Sequence, residues 1–295
     1  MINILAFLIR KISIILVTNE VTYYPGMIMI RLGRWLRKKV YIDSNKTDFQ
    51  TVALFNGAKI YLDRFTYMGG SIFWTGFHHL TEALYLNTIL RSNMTFIDVG
   101  ANQGEFSLIA ASIINSGKIL SFEPVSQQRT LLEKNKVINN FQQIEIYPFG
   151  LGNKNSELPI YTSANTSLHH GRHEGLSSLY FSSERNILQE IIQIKVFDDL
   201  FFNDLDRLDF IKIDIEGAEL FALQGMSKSI QKFKPTILIE INEETFNSAN
   251  YSTKDVLEFF YNFGYNFFEI KKGKLVNIEV KSFEKWGNYI AQCKK

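Results

Sequence analysis

Cysteine is almost missing: the 295 residues contain one, Cys293. A single thiol closes neither an internal disulfide nor a thiolate metal cluster, which excludes a bridge-stapled secreted scaffold. Proline, at 5, and glycine, at 18, are too few for a collagen-like or low-complexity chain. A charged fraction of 21% beside 46% hydrophobic residues is too low for wholesale disorder. The net charge of +2 is too mild to argue for nucleic acid, and no such partner is expected. A long uninterrupted apolar run is lacking too. Residues 2–17 are almost wholly apolar but are split by Arg10 and Lys11, and a spanning helix needs about 20 apolar residues. A cleavable signal would place its positive charges first. A cytoplasmic protein is expected.

What charge there is sits unevenly. Residues 1–40 hold seven bases against one acid, Glu20. Arg31, Arg34 and Lys38 are spaced to share a helix face, with Ile28, Leu32, Trp35 and Leu36 for the others. A basic amphipathic segment of this kind can lie on an anionic membrane surface, or can pack on the body with its bases in solvent. In residues 41–77 the short runs Phe49–Val52–Leu54, Ala58–Ile60–Leu62 and Ile72–Phe73–Trp74 read as strands, punctuated by Asn56-Gly57 and Gly69-Gly70. Residues 1–79 are therefore expected to form a basic helical segment with a small β annex, and residues 80–295 the main domain.

From residue 94 strands alternate with helices. Strands are expected at Met94–Val99, Lys118–Phe122, Ile144–Phe149, Leu208–Ile213 and Thr236–Ile241, with helices at Glu105–Asn115, after Ser126, at Ala218–Leu223 and at Thr253–Phe263. Tyr265–Ile270 and Leu275–Val280 flank Lys272-Gly273 as a terminal antiparallel pair. This alternation means βαβ units, an α/β fold and a mostly parallel sheet, whose ligand lies beyond the carboxyl ends of the strands.

The loop Asp98-Val99-Gly100-Ala101-Asn102-Gln103-Gly104 follows the first of these strands. A dinucleotide turn has glycine where Ala101 stands and rests a diphosphate on the helix start. Asp98 is awkward beside a diphosphate but suits a ligand with an ammonium group and no phosphate, such as S-adenosylmethionine. Glu123 ends the next strand, where a carboxylate can accept both hydroxyls of a ribose.

With these motifs the chain resembles the FkbM family of S-adenosylmethionine-dependent methyltransferases. The resemblance rests on Phe96–Leu108, Ser121–Pro124, Phe210–Glu219 with Leu223 and Gly225, and Pro235–Glu240, and spans roughly residues 80 to 270. It implies a Rossmann-like class I methyltransferase sheet with an antiparallel last strand. It further implies that Asp98, Gly100, Ala101, Asn102 and Gly104 hold the methionine end of the cofactor, that Glu123 holds its ribose, and that Phe149-Gly150-Leu151 flanks the adenine.

Asp214 and Glu216 follow the fourth strand two residues apart, so continued strand geometry would point them the same way, with Glu219 one helical turn on. Methyl transfer needs an aligned acceptor and help in losing its proton, and the two acids are the expected acceptor-side catalytic pair. Hard oxygen donors also suit a divalent metal, for which Glu240 is the best distant third ligand; the metal stays open. In the long segment Ser163–Glu190, His169, His170, His173 and Gly175–Leu179 are read as an acceptor-site lid. His78-His79 serve equally well as packing or substrate contacts. The expected function is O-methylation of a hydroxyl on a small-molecule, glycan or natural-product acceptor. An NAD-dependent oxidoreductase on a similar sheet, or a non-catalytic docking protein, are the alternatives.

Overall fold

A computed structural model describes residues 2–40, 46–163, 177–180, 185–278 and 286–293. Two helices come first, α1 (Ile2–Val17) and α2 (Tyr23–Val40). The strands β1 (Phe49–Ala53) and β2 (Lys59–Asp63) then form an antiparallel hairpin around Asn56-Gly57, and α3 (Tyr67–Thr75) and α4 (Leu80–Ile89) lead into the body. The body opens with β3 (Thr95–Val99), α5 (Glu105–Ala111), β4 (Lys118–Phe122), α6 (Ser126–Asn139) and β5 (Ile144–Tyr147). A second small sheet follows, made of β6 (Gly150–Leu151), β7 (Ser156–Ser163) and β8 (Arg185–Lys195). The chain continues through α7 (Phe197–Phe201), β9 (Phe210–Ile213), α8 (Glu219–Gly225), α9 (Ser227–Phe233), β10 (Thr236–Asn242), α10 (Glu243–Ser248) and α11 (Thr253–Asn262). It finishes with β11 (Tyr265–Lys271), β12 (Lys274–Asn277) and β13 (Trp286–Cys293).

The main sheet has the order β12-β11-β13-β10-β9-β3-β4-β5. From β10 to β5 every pairing is parallel, and β13 enters antiparallel between β10 and β11. This is the mostly parallel α/β sheet with an antiparallel last strand read from the sequence. The chain runs outward through β3, β4 and β5 and then crosses back to β9, so the order reverses between β3 and β9. In an open parallel sheet the crevice beyond the carboxyl ends at such a reversal receives the ligand.

All five residues of β3 are buried, as a central strand covered by helices on both faces requires. Its side chains alternate between two apolar clusters, Phe96 joining Ile109, Ile119 and Phe210 while Ile97 joins Phe122, Ile211 and Ile239. The first cluster also holds Ala6, Ile30, Leu62 and Trp74, so apolar packing is continuous across residues 79 and 80. Asn135 and Asn139 of α6 bond the backbone of Tyr61 and Lys59, which fastens the β1–β2 hairpin to the body.

Several sequence expectations need correction. Ile72-Phe73-Trp74 is the last part of α3, not a strand: Thr66 accepts from the Gly69 N–H as its N-cap, and burial of Gly69 through Thr75 leaves no polar face to reveal a helical period. The terminal pair about Lys272-Gly273 exists as β11 and β12, yet the antiparallel last strand is β13. Ser126 does not cap α6; it is the first helical residue, and its N–H and hydroxyl donate to Glu190. The end of the expected lid segment, Arg185 to Glu190, belongs to strand β8. His169, His170, His173, Gly175 and Leu176 lie outside the described residues. Among the described residues no helix is long and apolar enough to cross a membrane.

Candidate active site

A cavity of about 400 Å³ lies at the carboxyl ends of β3, β4, β9 and β10, within the range of small-ligand sites. Gly100, Ala101, Asn102 and Gln103 form one wall, and Glu123 to Val125 another. Ile160, Ile192 and Ile194 of the small sheet add an apolar side beside Gly150 and Leu151. Lys212 lines it beneath the Gly100 wall, and Asp214, Glu216 and Glu240 line it from beyond β9 and β10.

Gly100 is left-handed (φ 78°), and a Cβ there would collide with the Asp214 carbonyl oxygen. The glycine therefore lets the β3 and β9 loops touch. Gly104 (φ 97°) precedes α5, and a Cβ on it would strike the Leu132 side chain. Its backbone serves helix packing; Gly104 does not line the cavity, unlike Gly100, Ala101 and Asn102.

Asp98 also lies outside the cavity lining, fully buried beneath it. One carboxylate oxygen accepts from the Ser107 hydroxyl at 2.6 Å, and the other lies 3.4 Å from the Lys212 ammonium. Asp98 and Lys212 are register partners on β3 and β9, so the sheet itself brings the charges together. Lys212 Nζ donates onward to the Gly100 carbonyl at 2.7 Å. Burial alone would lower the lysine pKa, but Asp98 and Asp214 hold it above the ordinary lysine value, so the group stays charged. The ammonium that the sequence reading assigned to a ligand is supplied by the chain. Lys212 itself was missed, because its pairing with Asp98 spans more than a hundred residues.

Glu123 does face the cavity. Its carboxylate accepts from the Asn102 N–H at 2.7 Å and the Val125 N–H at 2.9 Å. Burial outweighs these bonds and pushes its pKa up to about 7. Gln103 lines the same end with a buried amide oxygen that has no donor among the described residues. Phe149 does not reach the cavity: it packs with Phe122 and Tyr147, each ring 5.7 Å away, while Gly150 and Leu151 do line it.

At the far end Glu216 adopts a left-handed backbone (φ 54°) rather than continued strand geometry. The chain turns there, and Asp214 and Glu216 still both line the cavity. Carboxylate oxygens of Asp214, Glu216 and Glu240 lie within 4.8 Å of one another, a spread that one hard cation can bridge. Glu240 accepts from the Trp286 indole at 2.6 Å, and burial together with the neighbouring acids raises its pKa well above the usual carboxylate range. Glu219 does not join this cluster. It turns back to accept from the Ile215 and Gly217 N–H groups at 2.9 and 3.0 Å, clamping its own loop, with its pKa pushed by burial to about 7.

His79 lines the cavity from the start of α4. Its Nδ1 lies 3.1 Å from the Glu105 carboxylate, which also accepts from the His78 N–H at 2.7 Å. Burial works to lower the His79 pKa, but the Glu105 hydrogen bond and charge carry it above the ordinary value. His78 is held neutral by burial, its pKa lowered to about 3. A carboxylate-oriented imidazole is a proton-handling arrangement that adjacent histidines in a sequence do not announce.

The strand reversal, glycine corner and carboxylate-lined cavity define an α/β fold with a candidate ligand site at the carboxyl ends of its parallel strands. The chain belongs to the methyltransferase FkbM domain family, whose model matches residues 98–267, more than half its length. Methyltransferase sdnD of Sordaria araneosa is 26% identical over 190 residues, covering 54% of this chain and 71% of that protein. Methyltransferase 1 of Beauveria bassiana is 21% identical over 176 residues, covering 53% and 68%. The solved FkbM methyltransferase of Methylobacillus flagellatus KT is 18% identical with a TM-score of 0.44, and covers 71% of this chain. The matched part makes up 47% of that structure's length, about half.

Proposed function

We propose that this chain transfers a methyl group from S-adenosylmethionine to a hydroxyl oxygen of a glycan or natural-product precursor. The observation that carries the reading is one cavity with Glu123 at one end and the Asp214–Glu216–Glu240 cluster at the other. The donor set fits the cofactor. Glu123 suits vicinal ribose hydroxyls, and the Gln103 oxygen awaits a donor. Val125, Leu151 and Ile194 offer an apolar slot for a purine. A diphosphate would meet Glu123 and the acidic far end, which disfavours a nicotinamide dinucleotide.

When bound, S-adenosylmethionine supplies an electrophilic methyl carbon on a sulfonium. Transfer to an acceptor oxygen would leave the electron pair of the broken carbon–sulfur bond on sulfur, and the residues lining the cavity would have to hold acceptor and methyl donor together. The hydroxyl proton must leave, and Asp214 with Glu216 orient the acceptor and take it. Calorimetric titration with S-adenosylmethionine tests the reading directly; folded protein that does not bind overturns it. Asp214→Asn is expected to keep cofactor affinity and lose methyl incorporation into an acceptor. A second reading has its own observation: the three acids within 4.8 Å could hold a magnesium ion that lowers the acceptor's pKa. Magnesium titration of the same protein separates the two.

A further inference from the structure

The two N-terminal helices carry an apolar face that stays exposed among the described residues. On α1 the buried positions are Ala6, Ile9, Arg10, Ser13 and Val17, and these face the rest of the protein. The opposite side exposes Ile4 (66%), Leu8 (50%) and Ile15 (65%), and α2 exposes Ile28 (64%) and Trp35 (54%). A contiguous exposed patch of such side chains marks an interaction surface.

The charges around it follow a consistent arrangement. Arg10, which interrupts the apolar run in sequence, turns inward and donates to the Phe73 carbonyl at 2.6 Å, so it does not interrupt the face. Lys11, Arg31, Arg34, Lys38 and Lys39 remain exposed. The hairpin's one acid, Glu20, is paired with Lys274 at 2.8 Å. The outward surface is thus apolar and aromatic with only basic charge beside it.

We propose that the α1–α2 hairpin docks in the plane of an anionic lipid bilayer, its apolar side chains entering the headgroup boundary and its bases meeting lipid phosphates. Apolar burial and electrostatic attraction act together in this binding mode, and neither helix needs to span. A second copy of the chain fits less well. A symmetric contact through this face would bring Arg31, Lys38 and Lys39 against their own counterparts. The inference stands apart from the methyltransferase reading, since no cavity residue enters it.

Sedimentation of the full chain with phosphatidylglycerol vesicles and with pure phosphatidylcholine vesicles tests it. Binding to the anionic vesicles is expected, weakened by salt, with a blue shift of Trp35 fluorescence that W35F removes. Each of Leu8→Gln and Ile15→Gln should lower partitioning about tenfold, and Arg31→Gln with Lys38→Gln should lower it for the anionic vesicles alone. Circular dichroism checks that the variants stay folded. No binding to phosphatidylglycerol, or equal partitioning of variants and wild type, overturns the proposal. So does a dimer that Leu8→Gln and Ile15→Gln dissociate in the absence of vesicle binding.

Discussion

The two ends of the cavity handle buried acid in opposite ways. Under the β3 loop, the Asp98 charge is opposed inside the protein by Lys212 at 3.4 Å, and its other oxygen accepts from Ser107. At the β9 and β10 loops, Asp214, Glu216 and Glu240 crowd together, and burial first, then the neighbouring acids, make Glu240 hold its proton more tightly. Glu123 lies between these extremes, given two N–H donors but too buried to ionise at its usual pH. An acid that is satisfied in the fold belongs to stability. An acid that gains most when something arrives belongs to function.

The contrast can be broken most forcefully at Lys212. Lys212→Met leaves the Asp98 carboxylate buried and unmatched, and should cost about 3–5 kcal/mol in urea unfolding. Adding Asp98→Asn should restore much of that loss; a double variant as unstable as the single would show that the pair is not the reason. Next in size is a pH effect. Glu123 and Glu219 ionise near 4.5 in the unfolded chain and near 7 in the fold. The unfolded state releases these protons first, so stability present below 4.5 is lost as pH rises towards 7 and is flat beyond. Thermal melts across that window should fall by a few kcal/mol. Saturating S-adenosylmethionine should change the Glu123 part and leave the Glu219 part.

Glu123→Ala should weaken S-adenosylmethionine binding by about a hundredfold in calorimetry, from two lost charge-assisted bonds. An unchanged affinity would remove its assigned role. Smallest of all is Ser178→Ala. The Ser178 hydroxyl, on a segment bridged to Tyr161 of β7, donates to the Glu216 carbonyl at 2.9 Å and ties that segment to the loop after β9. Its loss should cost about 1 kcal/mol and slow turnover more than it weakens cofactor binding.

What the sequence made legible follows from locality. Each β-strand of the parallel core is a short apolar run, each following helix has a 3.6 period, and Asn56-Gly57 marks its turn whatever surrounds it. Glu123 could be placed at the cavity because it stands at a strand end. The failures are nonlocal. Lys212 reads as one charged residue in an apolar strand until β3 lies beside it. Trp286–Cys293 carries no edge signal because its neighbours, β10 and β11, come from elsewhere in the chain. Phe149 was assigned by position, but it satisfies an aromatic cluster whose other members lie on β4, β5 and α7. Ile72–Trp74 was misread because a helix buried on every side has the same apolar composition as a buried strand.

Arg37 gives the two N-terminal helices a mechanical hold on the cavity. From within α2 its guanidinium donates to the Tyr67 carbonyl at 2.6 Å and lies 4.6 Å from the Tyr67 ring, and Tyr67 is part of the chamber wall. Trimming the first forty residues would therefore slacken that wall as well as strip away an adhesive patch. Poor ligand binding by a shortened protein would then report a lost brace.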